Sequence, residues 1–496
     1  MLVGIDLGTT KSVIGYWHEG KPRIVKLNGM YSMPSEVSFV KDTISVGKRS
    51  KEKEAIYIGG IKRHLGRKGA VKVSKHKSVH PQCIAALLLC QLKKMALEDM
   101  KSLGLPAKID GAIIAIPSHF DIHQRRATME AALIANLPVR RLINEATAGA
   151  LEYTTHNQIR DHLMVVDIGG GTLDISVIDV SQEEHKKDFP LEVKNIEGDT
   201  NLGGLDFDDA IFNWVKDYKA KDIINLNNLS IEKTIEFKEK LAKLKHDLSS
   251  QEKATTHYPM GILRDDLQIY EPLTLSRKDF LDISKPLFNR ILALLEKSLK
   301  EIPNNTSFDT LLVGRASRTH GLKVAIEEKL NTKCLSNTDP ETCVAKGAII
   351  QAAILDDTIQ KHDQRFVIEV LQDNYGIELQ DGVFHSFFNK GQTIPREAKH
   401  DFQTVSDGQT SLEIKFYKGS SSAIKDNVYM DSVTIPNIKK APKGEEKINI
   451  KFDMDANMEL TIIAFNDIYQ VKSKNGLTPE EIQSYQTFVN DQFFNK

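Results

Sequence analysis

The chain has 496 residues, 41% hydrophobic and 27% charged, enough to bury several cores, and its length predicts roughly three domains. Lys and Arg total 66 against 67 Asp and Glu, and the net charge of −1 supplies no basic field for nucleic acid. The longest apolar run, Ile84 to Cys90, is far too short to cross a bilayer, and Asp6 interrupts any signal-peptide core. Cys83, Cys90, Cys334 and Cys343 form no CxxC pair, which fits a reducing, cytoplasmic setting.

The first predicted elements are a strand, a tight turn and a strand: Leu2-Val3, then Gly4-Ile5-Asp6-Leu7-Gly8-Thr9-Thr10, then Ser12 to Tyr16. The pattern returns as Leu163 to Val166, Asp167-Ile168-Gly169-Gly170-Gly171-Thr172-Leu173-Asp174, and Ile175 to Ile178. Glycines let backbone amides approach an anion, and threonine hydroxyls add donors. An aspartate at the strand end can hold Mg²⁺ through water. One such loop reads equally well as a ligand-free hairpin turn. Two copies, ending in Asp6 and Asp167, point to duplicated halves that clamp one phosphate chain.

Residues 1–40 alternate like strands, with a break at Pro34, and Lys68, Lys72, Lys75 and Lys77 coat a solvated surface. Helical spacing follows from Ile84 to Leu103, then a buried strand from Ala112 to Ile116 that stops at Pro117. Helices are predicted over Gln124–Leu137, Asn144–Tyr153, Ile231–Leu248 and Phe280–Ile302, then a strand over Thr310–Val313 and a helix ending near Leu355. This alternation argues for an α/β architecture. The texture changes after Asp356. From Tyr375 to Val471 short alternating segments separated by turn residues predict a small β-sandwich. Thr478-Pro479-Glu480-Glu481 supplies an N-cap, a proline at N1 and a glutamate at N3, so a short helix starts there.

Six segments carry a resemblance: GIDLGTTKS at 4–12, IPSHFDIHQRRAT at 116–128, RLINEATAGAL at 141–151, DIGGGTLD at 167–174, GDTNLGGLDFD at 198–208 and VGRASR at 313–318. Together they resemble the heat shock protein 70 (DnaK-type) chaperones over nearly the whole chain. The resemblance implies an actin-like two-lobed ATPase domain (1–357), a hydrophobic linker (358–372), a β-sandwich peptide-binding domain (373–472) and a truncated helical tail (473–496). It implies ATP-dependent binding of extended apolar peptide segments, with ATP or ADP, Mg²⁺ and K⁺ as cofactors. Implied partners are unfolded polypeptides, a J-domain co-chaperone and a nucleotide-exchange factor, with no membrane role.

Carried over by motif, Asp6 and Asp167 match the carboxylates that position metal through water. Lys62 matches the lysine near the γ-phosphate and attacking water, though a lysine seen alone is usually just solvated. An ammonium there offsets charge developing on phosphoryl oxygens. Glu145, Thr172 and Asp167 complete the catalytic set. Gly8, Thr9, Thr10, Lys11, Gly169, Gly170 and Gly171 match nucleotide-binding positions of the two phosphate loops, Gly203 and Gly204 phosphate-contacting backbone, Gly314 and Arg315 the adenosine loop, and Lys245, Ser249 and Arg318 nucleoside contacts. Arg318 is expected to stack on adenine. Pro117, Arg125 and Glu369 match the residues that couple nucleotide state to the sandwich, although Pro117 alone reads as a strand terminator. Ile377, Gln380, Phe402, Val405 and Leu412 fall on peptide-binding positions, where apolar residues at period two also read as core.

Several positions depart from the family pattern. Arg315 stands where glycine is usual, Ala242 and His246 where charged nucleoside contacts are usual, and Leu205 where an acid is usual. Ala146, Lys11 and Arg365 are also atypical, residues 68–83 are short, and a helical lid is expected to be missing. A non-cycling module clamped by nucleotide and a small-molecule kinase on the same ATPase fold are the alternative readings. The sandwich argues against the kinase.

Overall fold

The computed structural model describes the chain apart from residues 42, 51, 53, 75, 158–159, 181–190, 220–230, 263–267, 301, 303–306, 336–337, 360–366, 380–381, 472–475 and 494–496. Lys75, Arg365, Phe366 and Gln380, all singled out above, lie outside the described residues.

Both glycine-threonine loops turn antiparallel hairpins. The first joins Leu2–Asp6 to Lys11–His18, and the second joins His162–Ile168 to Leu173–Asp179. Each leading strand takes a parallel neighbour, Gly111–Ile116 in the first sheet and Phe308–Val313 in the second. Further parallel strands, Val139–Asn144 and Cys334–Leu335, extend the sheets on that side. Lys21–Ile24 and Leu191–Asp199 extend them on the other, so the two sheets repeat one strand order. The duplication expected from the paired loops is therefore topological as well as local. Every residue of Gly111–Ile116 is buried, as its unbroken apolar run requires between two packed faces.

Helices α1 (Pro81–Ser102) and α2 (Ile122–Ile134) cover one face of the first sheet. Helices α3 (Glu145–His156) and α8 (Cys343–Leu355) share a core with strands of both sheets. Helices α4 (Gly204–Trp214), α5 (Ile231–Asp247), α6 (Arg277–Leu299) and α7 (Leu322–Leu330) pack on the second sheet. The crossing of α3 and α8 needs glycine: a Cβ at Gly347 would lie 1.8 Å from Ala148 O. Helix α2 starts before the predicted Gln124. The Asp121 carboxylate accepts from Gln124 N at 3.0 Å while Gln124 Oε1 accepts from Asp121 N at 3.2 Å.

After α8, Val367–Ile368 runs parallel to Leu191-Glu192 and adds a sixth strand to the second sheet. Val367, Val370 and Leu371 are buried, so this apolar stretch is docked rather than solvated. Two four-stranded antiparallel sheets follow. One is ordered Phe384–Phe388, Tyr375–Glu378, Leu412–Lys418, Val428–Ile435, and the other Arg396–Gln403, Lys447–Met454, Leu460–Ala464, Asp467–Gln470. Ile377, Phe388 and Phe416 from the first meet Ile450, Phe452 and Ile462 from the second in one core.

These sheets sit against α2. Ile122 packs on their core, Leu142 N donates to Asn457 Oδ1 at 2.9 Å, and Arg126 pairs with Glu459 at 2.8 Å. The last helix, α9 (Pro479–Phe493), begins with the expected reciprocal cap, in which Thr478 N donates to Glu481 Oε2 and Glu481 N to Thr478 Oγ1. It is not a loose tail. Leu477 and Val489 are buried with α1 and α2, and Tyr485 Oη accepts from His80 N at 3.2 Å. Among the described residues no helix is long and apolar enough to cross a membrane.

Candidate functional site

The two turns touch each other. A Cβ on Gly170 would lie 2.6 Å from Thr10 Oγ1, and one on Gly171 2.8 Å from Thr9 Cγ2. Gly203 closes on the second turn from behind, where a Cβ would meet Gly171 N at 2.7 Å, and Gly204 N donates to Gly169 O at 3.0 Å. Gly314 combines a φ of +77° with a site where a Cβ would sit 2.4 Å from Asp167 Oδ1. Bare backbone at these points leaves a cavity of about 70 Å³ lined by Asp6, Gly8, Lys62, Glu145, Asp167 and Thr172 among others.

Those side chains come from distant parts of the chain. Asp6 and Asp167 end the leading strands of the two hairpins or nearly so, Lys62 lies in the short helix Ile61–His64, and Glu145 opens α3. Lys62 Nζ and Glu145 Oε1 form a buried ion pair. Burial pushes the Glu145 carboxyl up to about 7 even though Lys62 opposes the shift. Burial, then Glu145 and Asp174, raises Asp167 well above the usual carboxylate range, and burial raises Asp6 against the pull of Lys62. Burial acts to lower the Lys62 ammonium, but Glu145 and Asp6 outweigh it and the net direction is upward.

Three carboxylates therefore face one ammonium in a small cavity. Hard oxygen donors with surplus negative charge fit a hydrated dication such as Mg²⁺. Among the described residues no group of three or more His, Cys, Asp or Glu is placed to hold a metal ion directly.

A second cavity of about 460 Å³ opens beyond the first and is lined by Gly204, Leu205, Asp208, Ala242, Lys245, His246, Ser249, Arg315 and Arg318 among others. Lys245 pairs with Asp208 at 2.7 Å and donates to Gly204 O at 2.6 Å, tying α5 to the start of α4. Ser249 Oγ donates to Arg318 O at 3.0 Å, and the Arg318 guanidinium pairs with Asp339 at 2.8 Å. Every phosphate-side and nucleoside-side residue expected from the sequence lies in or beside these two cavities.

The proposed coupling residues also converge. Pro117 is buried directly after Gly111–Ile116, and its carbonyl accepts from Phe120 N at 3.1 Å. Arg125, 1% exposed, donates through Nε to Phe120 O at 3.1 Å and through Nη2 to Asn144 Oδ1 at 2.9 Å. Asn144 N in turn donates to Glu369 Oε1 at 2.9 Å. Glu369 thus reaches the residue immediately before Glu145.

The peptide-binding expectations divide. Phe402 is half-buried near the end of its strand, Val405 is exposed in the next turn, and Leu412 is half-buried at the start of the following strand, so these three lie along one corner of the chain between the two sheets. Ile377 is different: it is wholly enclosed in the sandwich core with Phe388 and Phe416. It is core in this structure.

Arg63 was not anticipated. It donates to Gly171 O at 2.7 and 3.1 Å and pairs with Asp206 at 2.7 Å, bracing the second turn. Its place beside Lys62 was the available signal. Ser32, which donates to Glu341 Oε1 at 2.8 Å across the cleft, had none.

The family model described as Hsp70 protein matches residues 2–490. The chaperone protein DnaK of Mycoplasmopsis agalactiae is 32% identical over 477 residues, covering 94% of this chain and 76% of that protein. The DnaK of Mycoplasma mobile is 32% identical over 503 residues, covering 97% and 80%. A mitochondrial-type heat shock protein 70 of Encephalitozoon cuniculi is 30% identical over 510 residues, covering 97% and 82%. With its paired turns, its buried lysine–glutamate pair and these matches, the chain belongs to the Hsp70 family.

Proposed function

We propose that this chain is an ATP-dependent chaperone, an ATPase in which hydrolysis governs the grip of the sandwich on extended apolar polypeptide. The single observation that carries this reading is the continuous contact from Glu369 through Asn144 to Glu145 and Lys62. It connects the segment before the sandwich to the group facing the phosphate cavity.

The α/β region acts as the two-lobed, actin-like ATPase, with the two turns holding the phosphate chain. Asp6 and Asp167 would hold Mg²⁺ through water, which neutralises phosphate charge, and K⁺ would share the same carboxylate-rich space. Lys62 is oriented by Glu145 toward the cavity and offsets charge on the phosphoryl oxygens, while the Thr172 hydroxyl donates to the terminal phosphate. The Phe402, Val405 and Leu412 corner takes the peptide, whose main chain can add hydrogen bonds beside it. Unfolded polypeptides are the clients, a J-domain protein and an exchange factor the co-chaperones, and the cytoplasm the setting.

Single-turnover ATP hydrolysis with and without an apolar heptapeptide tests the proposal. Acceleration by peptide supports it. Hydrolysis that ignores peptide favours the non-cycling module, and no hydrolysis at all removes the ATPase.

A further inference from the structure

Each sheet of the sandwich ends on a strand that carries a histidine on its inner face. Phe384–Phe388 is the end strand of one sheet and Arg396–Gln403 the end strand of the other, and the chain passes from the first to the second through residues 389–395. Directly paired residues of antiparallel strands project to the same face. His385 pairs with Ile377 and His400 with Ile450, both fully buried, so the two imidazoles stand on the inner faces at the margin of the sandwich. Both are half-buried and open to solvent on one side.

The rings lie close together. Their centroids are 5.0 Å apart with the planes at 48°, and His400 meets the Phe402 ring edge-on at 4.7 Å. Among the described residues no hydrogen bond reaches either imidazole, so the ring nitrogens have no protein partner. The adjacent carboxylate, Asp401, lies on the other face of the strand and accepts from Asn449 Nδ2 at 2.7 Å. Burial, and then the His385 charge, lowers His400 below the ordinary 6.5, toward the neutral form in which imidazole ligates metals.

This separation is the one a shared metal needs. Zinc–nitrogen bonds of about 2.0–2.1 Å set the metal roughly 3.2 Å from each ring centre, so two imidazoles at a tetrahedral angle have centres about 5 Å apart. We propose that His385 and His400 chelate a divalent transition metal, Zn²⁺ above all, which ties together the end strands of the two sheets. Two imidazoles and no carboxylate suit Zn²⁺, Ni²⁺ or Cu²⁺ and exclude Mg²⁺ and Ca²⁺, which require oxygen. Among the described residues no third His, Cys, Asp or Glu completes the set, so water fills the remaining positions. A structural zinc site has four protein ligands, and one with two exchanges its metal and responds to supply. Bound metal also fixes Phe402, one wall of the peptide corner proposed above, but the chelate stands without that reading.

The test is titration of Zn²⁺ into the full chain with Mg²⁺ in excess, followed by calorimetry and by hydrogen exchange. With free Zn²⁺ about a hundredfold above its dissociation constant, protected amides of 384–388 and 396–403 should gain up to about a hundredfold in protection. Mg²⁺ alone should give none. His385→Gln and His400→Gln should each weaken Zn²⁺ binding by about tenfold or more, the least that losing even an outer supporting residue costs. Their unfolding midpoints without Zn²⁺ should match the wild type. Zn²⁺ that binds both variants as tightly as wild type, or that protects other segments and leaves these two strands unchanged, would overturn the proposal. Should a variant not fold, the wild-type exchange pattern decides.

Discussion

Replacing Glu369 by alanine should release the sandwich from the ATPase region. Glu369 is 1% exposed, accepts from Asn144 N at 2.9 Å, and is the carboxylate that most offsets the burial of the Arg125 guanidinium. The substitution removes one hydrogen bond to a charged acceptor, about 1.5–3 kcal/mol. It also leaves Arg125, itself 1% exposed, without the negative charge that acts on it most. The protein need not absorb this as global instability, because Val367–Ile368 is a two-residue edge strand that can detach. The cost then falls on docking, whose equilibrium should shift by about 10- to 150-fold toward the open form. Hydrogen exchange of the 367–371 amides reads this directly, and Glu369→Gln, which keeps an acceptor, should lie between wild type and alanine. Peptide acceleration of ATP hydrolysis should vanish in Glu369→Ala while basal hydrolysis persists. Unchanged protection at 367–371 in the alanine variant would refute the reasoning.

Lys62→Met should leave nucleotide affinity near normal by calorimetry and slow single-turnover hydrolysis by ~10²–10³, the scale of one lost transition-state donor; an unchanged rate would remove Lys62 from the chemistry. His123 faces Asp121 on its own helix and Lys418 and Asp431 on the sandwich, and burial lowers its pKa below the ordinary 6.5. Its neutral form therefore favours docking above pH 6.5, and that contribution should fade as pH falls below it, read as rising exchange at 367–371 between pH 7.5 and 5.5. Val489 is fully enclosed between α9 and the helices beneath it, so Val489→Asp should detach α9 and expose amides 477–490, at a cost of about 1.5–3 kcal/mol from lost apolar burial; retained protection would mean the helix is held by its polar contacts alone.

The glycine-threonine turns were legible because their chemistry is local: each hairpin is a short run of Gly and Thr between two β-rich segments. The long helices were legible from period, and α2 was misplaced at its start only because the Asp121 cap lies outside the apolar pattern. Contacts between distant segments were not legible. Ser32 and Glu341 are 309 residues apart and neither stands out in the sequence among other polar residues. The amphipathic pattern of α9 shows that it must cover something, without saying that α1 and α2 are what it covers. Ile377 shows the same limit within a sandwich. Alternation identifies the inward face, but core and groove residues both lie on that face, and only its complete burial in the folded sandwich places Ile377 in the core.

The central claim, that the phosphate cleft controls the sandwich through Glu369 and Asn144, is tested most directly by stopped-flow release of a labelled apolar heptapeptide on mixing with ATP. The account predicts that ATP changes the release rate in the wild type and loses that effect in Glu369→Ala. Identical release with and without ATP, from a wild-type chain that binds both ligands, would contradict it.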